Sequence, residues 1–75
     1  MEPMYTFSEA LEKIKSGARM CRAGWNGKGM HIFLRDAVPD RQELPFIMMK
    51  TVDEKFVPWL ASQTDLLAED WFQVI

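Results

Sequence analysis

Apolar residues near the start of the chain recur at the spacing of one helical face. The positions on this face are Phe7, Ala10, Leu11, Ile14 and Ala18, and the polar residues Glu9, Glu12, Lys13 and Ser16 fall on the other side. Thr6 and Glu9 match a capping box, in which two side chains satisfy free backbone donors at a helix start. Gly17 is suited to ending a helix. The pattern predicts a helix over residues 7–16.

After this helix the pattern changes to short runs rich in β-branched, aromatic and methionine residues. Five such runs predict strands, over residues 19–22, 30–35, 46–51, 55–59 and 71–74. Residues 52–54 predict a hairpin turn, residues 36–44 a solvated loop, and residues 62–70 one helical turn with Thr64 or Asp65 as its N-cap. The predicted fold class is α+β, with the N-terminal helix packed on a twisted antiparallel sheet of about five short strands.

The apolar content is high for so small a domain. The chain has 75 residues and is 48% hydrophobic, and a domain of this size buries only about 60% of the surface of its unfolded chain. Cys21 is the only cysteine, so no disulfide within the chain adds stability. Some apolar surface is therefore expected to meet a ligand or another subunit, and we expect a homodimer or homotetramer.

The charge balance excludes some partners. Nine basic and eleven acidic residues give a net charge of −2, which argues against a general binder of polymeric nucleic acid. No stretch approaches the ~20 apolar residues that a membrane span needs, and the first residues lack a signal-peptide pattern. We expect a cytoplasmic protein without a membrane partner.

The first candidate site is the run from Trp25 to Gly29. It combines an aromatic face, the Asn26 amide, two glycines and the Lys28 cation, a set that suits a flat, charged small molecule. The alternative is a plain hairpin loop, because Asn-Gly is a strong turn signal. A plain turn, however, does not require a tryptophan before it.

The second candidate site lies between Trp59 and Trp71. Ser62, Gln63, Thr64 and Asp65 carry short polar side chains that can hold a polar ligand or cap the predicted helical turn. Trp71 opens an apolar strand and is expected in the core. Trp59 lies at a boundary between apolar and polar sequence, so its ring could pack in the core or stack on a ligand.

Other chemically distinctive residues favour structural roles. His31 is the only histidine, and strand alternation points it outward, away from the side of Ile32. No spacing ties it to Cys21 or Ser62 as a catalytic base, or to a metal-ligand pattern, so we expect neither an enzyme nor a cofactor. The arginines Arg19, Arg22 and Arg35 are expected at exposed strand edges, although any of them could neutralise a bound diphosphate. Glu69 and Asp70 are expected on a solvated face.

Both candidate sites resemble motifs of a known family. The runs from Trp25 to Met30 and from Val57 to Trp71 are similar to those of the second Thoeris anti-defense family of phage proteins, and the similarity extends to the first helix and the strand of Phe33. The resemblance implies an oligomeric sponge that binds a cyclic ADP-ribose-type signal, such as glycocyclic ADP-ribose, in the cytoplasm of an infected bacterium without cleaving it. Some such sponges are also taken to bind cyclic oligonucleotide signals.

The resemblance also implies roles for individual residues. Trp25 and Trp59 would stack on adenine, Asn26 and Gln63 would contact base or ribose edges, and Lys28 would contact phosphate. Ser62, Thr64 and Asp65 would bind ribose hydroxyls or order their loop. Two features depart from the family pattern, namely a short connection from Leu34 to Pro45 and Asp53-Glu54 in place of an Asp-Gly turn. A signal-degrading hydrolase and a module that inhibits a host protein remain as alternatives.

Overall fold

A computed structural model describes residues 3–25 and 29–75 of the chain. Its elements are α1 Phe7–Lys15, β1 Arg19–Arg22, β2 His31–Arg35, a 3₁₀ turn Pro39–Arg41, β3 Phe46–Lys50, β4 Phe56–Pro58, α2 Gln63–Leu67 and β5 Trp71–Val74. The α+β class, the N-terminal helix and the five strands predicted from the sequence are confirmed. The bounds differ from the predicted ones by one residue at most for α1 and for each strand end.

The five strands form one antiparallel sheet in the order β4-β3-β2-β1-β5. The strands β1 to β4 follow one another across the sheet, whereas β5 returns to the far edge and pairs with β1. Arg19 lies opposite Val74 and Arg22 lies opposite Trp71 in that pair. The segment between β4 and β5 therefore crosses from one edge of the sheet to the other, and α2 lies within this crossing.

The first helix is held by its caps and by its apolar face. Thr6 is the N-cap and forms the predicted capping box with Glu9. Ser16 is the C-cap, and Gly17 follows with φ of 101°, a left-handed conformation that glycine adopts at low cost. Ala10 and Ile14 are fully buried against Met20, Ile32 and Trp71. The helical period in the sequence thus marks the surface that covers the sheet.

Strand alternation gives the sheet two different faces. The helix face carries Met20, Ile32 and Trp71, and both α1 and α2 pack on it. The opposite face, called here the open face, is not covered by a helix within the described residues. Its side chains come from all five strands and include Arg19, Cys21, His31, Phe33, Met48, Lys50, Phe56, Phe72 and Val74.

The two predicted connections hold more local order than a plain loop. The segment 36–44 contains the 3₁₀ turn and a bridge in which the Val38 amide donates to the Glu43 carbonyl at 3.1 Å. In the turn between β3 and β4, the Lys55 amide donates to the Thr51 hydroxyl at 3.0 Å. Glu54 has φ of 64° in this turn, which is the conformation that favours glycine. No helix in the described part of the chain has the length and apolar character of a membrane span.

Candidate functional site

Trp71 lies at the centre of an aromatic cluster on the helix face. Its ring centroid is 5.4 Å from that of Phe7, 5.3 Å from Trp25 and 5.9 Å from Trp59, and both tryptophan pairs are edge to face. Trp71 is fully buried, and its indole Nε1 donates to the Asp65 carbonyl at 3.0 Å. The prediction that Trp71 belongs to the core is confirmed. Trp25 and Trp59 are half-buried at the edges of the same cluster.

The polar stretch after Trp59 forms the start of α2. Ser62 is the N-cap, so the predicted N-cap of Thr64 or Asp65 was wrong. The Ser62 hydroxyl accepts from the Asp65 amide at 3.1 Å, and the Asp65 carboxylate accepts from the Ser62 amide at 3.2 Å. This reciprocal pair is a capping box, which satisfies two helix-start donors together. Ser62 and Asp65 therefore have a structural role, and Gln63 and Thr64 lie exposed on the surface of α2.

Arg22 of β1 is joined to other parts of the molecule through two carboxylates. Its Nη1 donates to Asp65 Oδ1 at 2.8 Å and its Nε donates to Asp70 Oδ1 at 2.9 Å. The second oxygen of Asp70 accepts from the Gly24 amide at 3.2 Å. This group, called here the Arg22 network, connects β1, the segment leading to Trp25, the start of α2 and the start of β5.

The Arg22 network corrects two predictions. Arg22 was expected at an exposed strand edge, but β1 lies between β2 and β5 and only 19% of the Arg22 side chain is exposed. Asp70 was expected on a solvated face, but it bonds Arg22 and the backbone of Gly24. The sequence signal for these pairs is weak because the partners stand 43 and 48 residues apart.

The network also fixes the charges of its members. Burial raises the pKa of Asp65, but hydrogen bonds from Arg22, Ser62 and Trp25 outweigh it and hold that pKa below its ordinary value. The hydrogen bonds of Arg22 with Asp70 and Asp65 raise the pKa of its guanidinium further. Arg22 and Asp65 are therefore charged near neutral pH. The Asp65 carboxylate thus has partners within the chain, and its contact with a ribose hydroxyl stays a prediction.

A recess of about 260 Å³ opens beside Trp25. It is lined by Cys21, Arg22, Ala23, Trp25, Gly29, Met30, Phe72 and Val74. Burial, and to a lesser degree the charge of Asp70, raises the pKa of Cys21 to about 11. This thiol is protonated near neutral pH and is a weak nucleophile. The recess thus combines an aromatic wall, apolar side chains and the permanently charged Arg22.

The structure brings together only some of the predicted site residues. Trp25, Trp59 and Asp65 all contact Trp71. Among the predicted site residues that the structure describes, only Trp25 lines the recess. Ser62, Gln63 and Thr64 lie on α2 and do not line it. Asn26 and Lys28 lie outside the described residues. Arg22, which was expected at an exposed strand edge, lines the recess.

His31 is placed as predicted but is not exposed. It lies on the open face, opposite to the side of Ile32, yet only 7% of it is accessible. Its Nδ1 is 3.0 Å from the Gly29 carbonyl, and because a carbonyl only accepts, Nδ1 carries the proton. Its ring packs 5.7 Å from Phe33. Phe33 and the flanking strands β1 and β3 thus surround a histidine that strand alternation alone would leave exposed.

Two comparisons with known proteins agree with one another. A family model described as the Thoeris anti-defense 2-like domain matches residues 5–74. A protein of Bacillus phage SP01, named Thoeris anti-defense 2, is 39% identical over 85 aligned residues that cover 95% of this chain and 96% of the phage protein. The similarity thus spans all the elements described above, from the start of α1 to the end of β5.

Proposed function

This chain belongs to the Thoeris anti-defense 2-like family, and from that premise we propose that it inhibits Thoeris immunity by sequestering the cyclic ADP-ribose-type signal. The observation that carries the proposal is the match of the family to residues 5–74, which includes Trp25 and the whole Arg22 network. Sequestration requires tight binding without turnover. The recess supports such a role, since its thiol is protonated and its cation is held in fixed ion pairs.

In this proposal Trp25 provides the surface on which the adenine ring stacks. Its indole is half-buried and packs edge to face with Trp71. The ring is therefore held in place before a ligand binds. Trp59 belongs to the same cluster and is the second candidate for stacking. Asn26 and Lys28 remain proposed contacts for the base and phosphate, and Gln63, Thr64 and Ser62 remain proposed contacts from α2.

We further propose that the ligand site is completed by a second copy of the chain. A recess of about 260 Å³ is below the range of about 300–1,000 Å³ typical of small-molecule pockets, so one subunit encloses only part of such a nucleotide. The exposed side chains of Leu60, Leu66 and Leu67 place Gln63 and Thr64 within an apolar segment suited to such a contact. The polar side chains of α2 would then reach the nucleotide bound by the neighbouring subunit.

Assembly is tested by light scattering at micromolar concentration. We expect a mass corresponding to two or four copies of the 8.8 kDa chain. Leu60→Asp, which introduces a charge at a position that is 91% exposed in the single chain, is expected to shift the mass toward one copy without lowering the helix signal in circular dichroism. A mass near 8.8 kDa for the unaltered protein across this range would contradict the assembly.

Sequestration is tested by calorimetry with glycocyclic ADP-ribose and its cyclic isomers, followed by denaturation and chromatography. We expect saturable binding and full recovery of intact nucleotide. Trp25→Ala is expected to weaken binding by about 5- to 150-fold, the equivalent of one lost base stack of about 1 to 3 kcal/mol. The matched control is Phe56→Ala, which removes an aromatic ring from the open face and should bind normally.

The alternatives give different results in the same experiment. If the protein were a hydrolase, nucleotide added in molar excess over the protein would be recovered in cleaved form. A module that inhibits a host protein would show neither heat of binding nor an increase in melting temperature with any member of the panel, although a ligand at about 100 times its Kd adds roughly 2.7 kcal/mol to stability. Either outcome would remove the sequestration proposal.

A further inference from the structure

A second concave surface, separate in its lining from the Trp25 recess, lies on the open face of the sheet. This groove has a volume of about 430 Å³ and is lined by Gly17, Arg19, His31, Phe33, Leu34, Lys50 and Phe56. None of these residues lines the recess beside Trp25. The volume falls within the range of about 300–1,000 Å³ of small-molecule sites. The groove is thus large enough for one planar ring and its substituents.

The strand register explains how the groove acquires its chemistry. Lys50 lies opposite both His31 and Phe56, which gives one row across β2, β3 and β4. Because Met20 lies opposite Ile32, Arg19 of β1 lies beside Phe33 in the adjacent row of the same face. Two cationic side chains and two phenyl rings therefore come from four strands to one place. Their positions are set by backbone pairing and not by a mobile loop.

The two phenyl rings offer an apolar surface. Phe33 and Phe56 are edge to face, with ring centroids 6.0 Å apart, and Phe56 is 59% exposed. An exposed aromatic side chain on a sheet with a partly buried aromatic neighbour suits stacking of a flat ligand. His31 forms the floor beside Phe33, with a centroid distance of 5.7 Å.

The charges in the groove are predominantly positive. None of the salt bridges among residues 3–25 and 29–75 includes Arg19. Lys50 is 3.6 Å from the Glu54 carboxylate, but that side chain is 80% exposed, so the pair is weak. Burial lowers the pKa of His31, and the nearby charges of Arg19 and Lys50 lower it further. The protein has a net charge of −2 and nevertheless concentrates cations here.

We propose that this groove binds a small phosphate ester that carries a planar ring, with the phosphate between Arg19 and Lys50 and the ring against Phe33 and Phe56. Arg19 can donate two parallel hydrogen bonds to a phosphate, and Lys50 adds a point charge. A mononucleotide and a simple aryl phosphate share this chemistry. The site goes beyond the proposed function, because different residues line it and it accepts a ligand with one ring and one phosphate.

His31 gives a direct spectroscopic test of the site. It is the only histidine, so one imidazole signal in a proton NMR titration reports its pKa. The charged and titratable groups that face it among the described residues are Arg19 and Cys21 of β1 and Lys50 of β3. A bound phosphate would offset the two cations and favour the protonated imidazole. We expect AMP and phenyl phosphate each to raise the His31 pKa by about one unit, and adenosine to leave it unchanged.

Matched variants separate this site from the Trp25 recess. The double variant Arg19→Gln with Lys50→Gln is expected to weaken AMP binding by about tenfold or more, whereas Lys55→Gln, which removes a charge outside the groove, should bind as the parent does. Phe56→Ala is expected to weaken AMP binding and to spare glycocyclic ADP-ribose. Trp25→Ala should have the opposite pattern. Because Phe56 is exposed, its variant is expected to fold even if the double variant does not.

The relative affinities for AMP and phenyl phosphate show which part of the ligand the groove recognises. AMP binding about tenfold tighter than phenyl phosphate would show that the nucleoside is recognised, and equal affinities would show that ring and phosphate suffice. A His31 pKa that does not move with either compound at millimolar concentration would overturn the proposal. Unchanged AMP affinity in Phe56→Ala would also overturn it. Neither result would bear on sequestration at Trp25.

Discussion

Trp71→Ala is expected to unfold the protein or nearly so. Trp71 is fully buried, contacts three other aromatic rings and donates its indole hydrogen bond to the backbone of α2. Truncation of a buried aromatic residue costs about 3 to 5 kcal/mol, and small domains have a total stability of only about 5 to 15 kcal/mol. Chemical denaturation followed by far-ultraviolet circular dichroism measures the loss, since this signal does not depend on tryptophan.

Two further variants make the Trp71 result specific. Leu60→Ala removes an apolar side chain that is 91% exposed, and its free energy of unfolding is expected to stay within about 0.5 kcal/mol of the parent in the single chain. Trp71→Phe keeps a ring but loses the bond to the Asp65 carbonyl, so an intermediate loss is expected. If Trp71→Ala melted within a few degrees of the parent, the aromatic cluster would not be the centre of the core.

Arg22→Ala is expected to cost about 2 to 4 kcal/mol of stability. The change leaves the carboxylates of Asp65 and Asp70 without their shared cation, and an unpaired buried charge is costly. The estimate lies below the value for a fully buried pair because about a third of the Asp70 side chain is exposed. Arg22→Lys keeps the charge but cannot donate from two fixed nitrogens, so a smaller loss is expected.

The Arg22 result can be separated from a general packing defect by its pH dependence. The folded state lowers the pKa of Asp65, so this carboxylate contributes stability above its unfolded pKa of 3.8, and the contribution is lost as the pH falls through the folded pKa. The stability difference between the parent and Arg22→Ala should therefore shrink in acid. Arg41→Ala, at an exposed ion pair with Glu43, is the control and is expected to change stability little at any pH. A difference independent of pH would show that Arg22 acts by packing alone.

The fold could be predicted from the sequence because its signals are local. The capping box at Thr6, the helical period up to Ala18 and the five short apolar runs each lie within about ten residues. The antiparallel arrangement follows from short connections between consecutive strands. The helical turn after Ser62 was also predicted, but its N-cap was misplaced because Ser62, Thr64 and Asp65 all have capping side chains.

The candidate site could be predicted only in part because its contacts are distant in sequence. Arg22 looks like any charged residue at a strand end until β5 places Asp70 beside it. Ser62 and Asp65 bond each other in a capping box, so both have partners within the chain before any ligand binds. His31 is buried by neighbours on β1 and β3 that no local pattern specifies. Trp25 borders a recess and is held in place by the core, and its role as a ligand contact stays a prediction.

The return of β5 to β1 has a consequence for the order in which the molecule folds. The strands β2, β3 and β4 are consecutive, so their pairing closes short loops. Pairing Arg19 with Val74 instead closes a loop over most of the chain and carries a larger entropic cost. We therefore expect β5 to dock last. Trp71 and Asp70 arrive with it, and only then are Trp25 and Arg22 fixed in place. A nucleotide bound there would slow unfolding far more than it speeds folding.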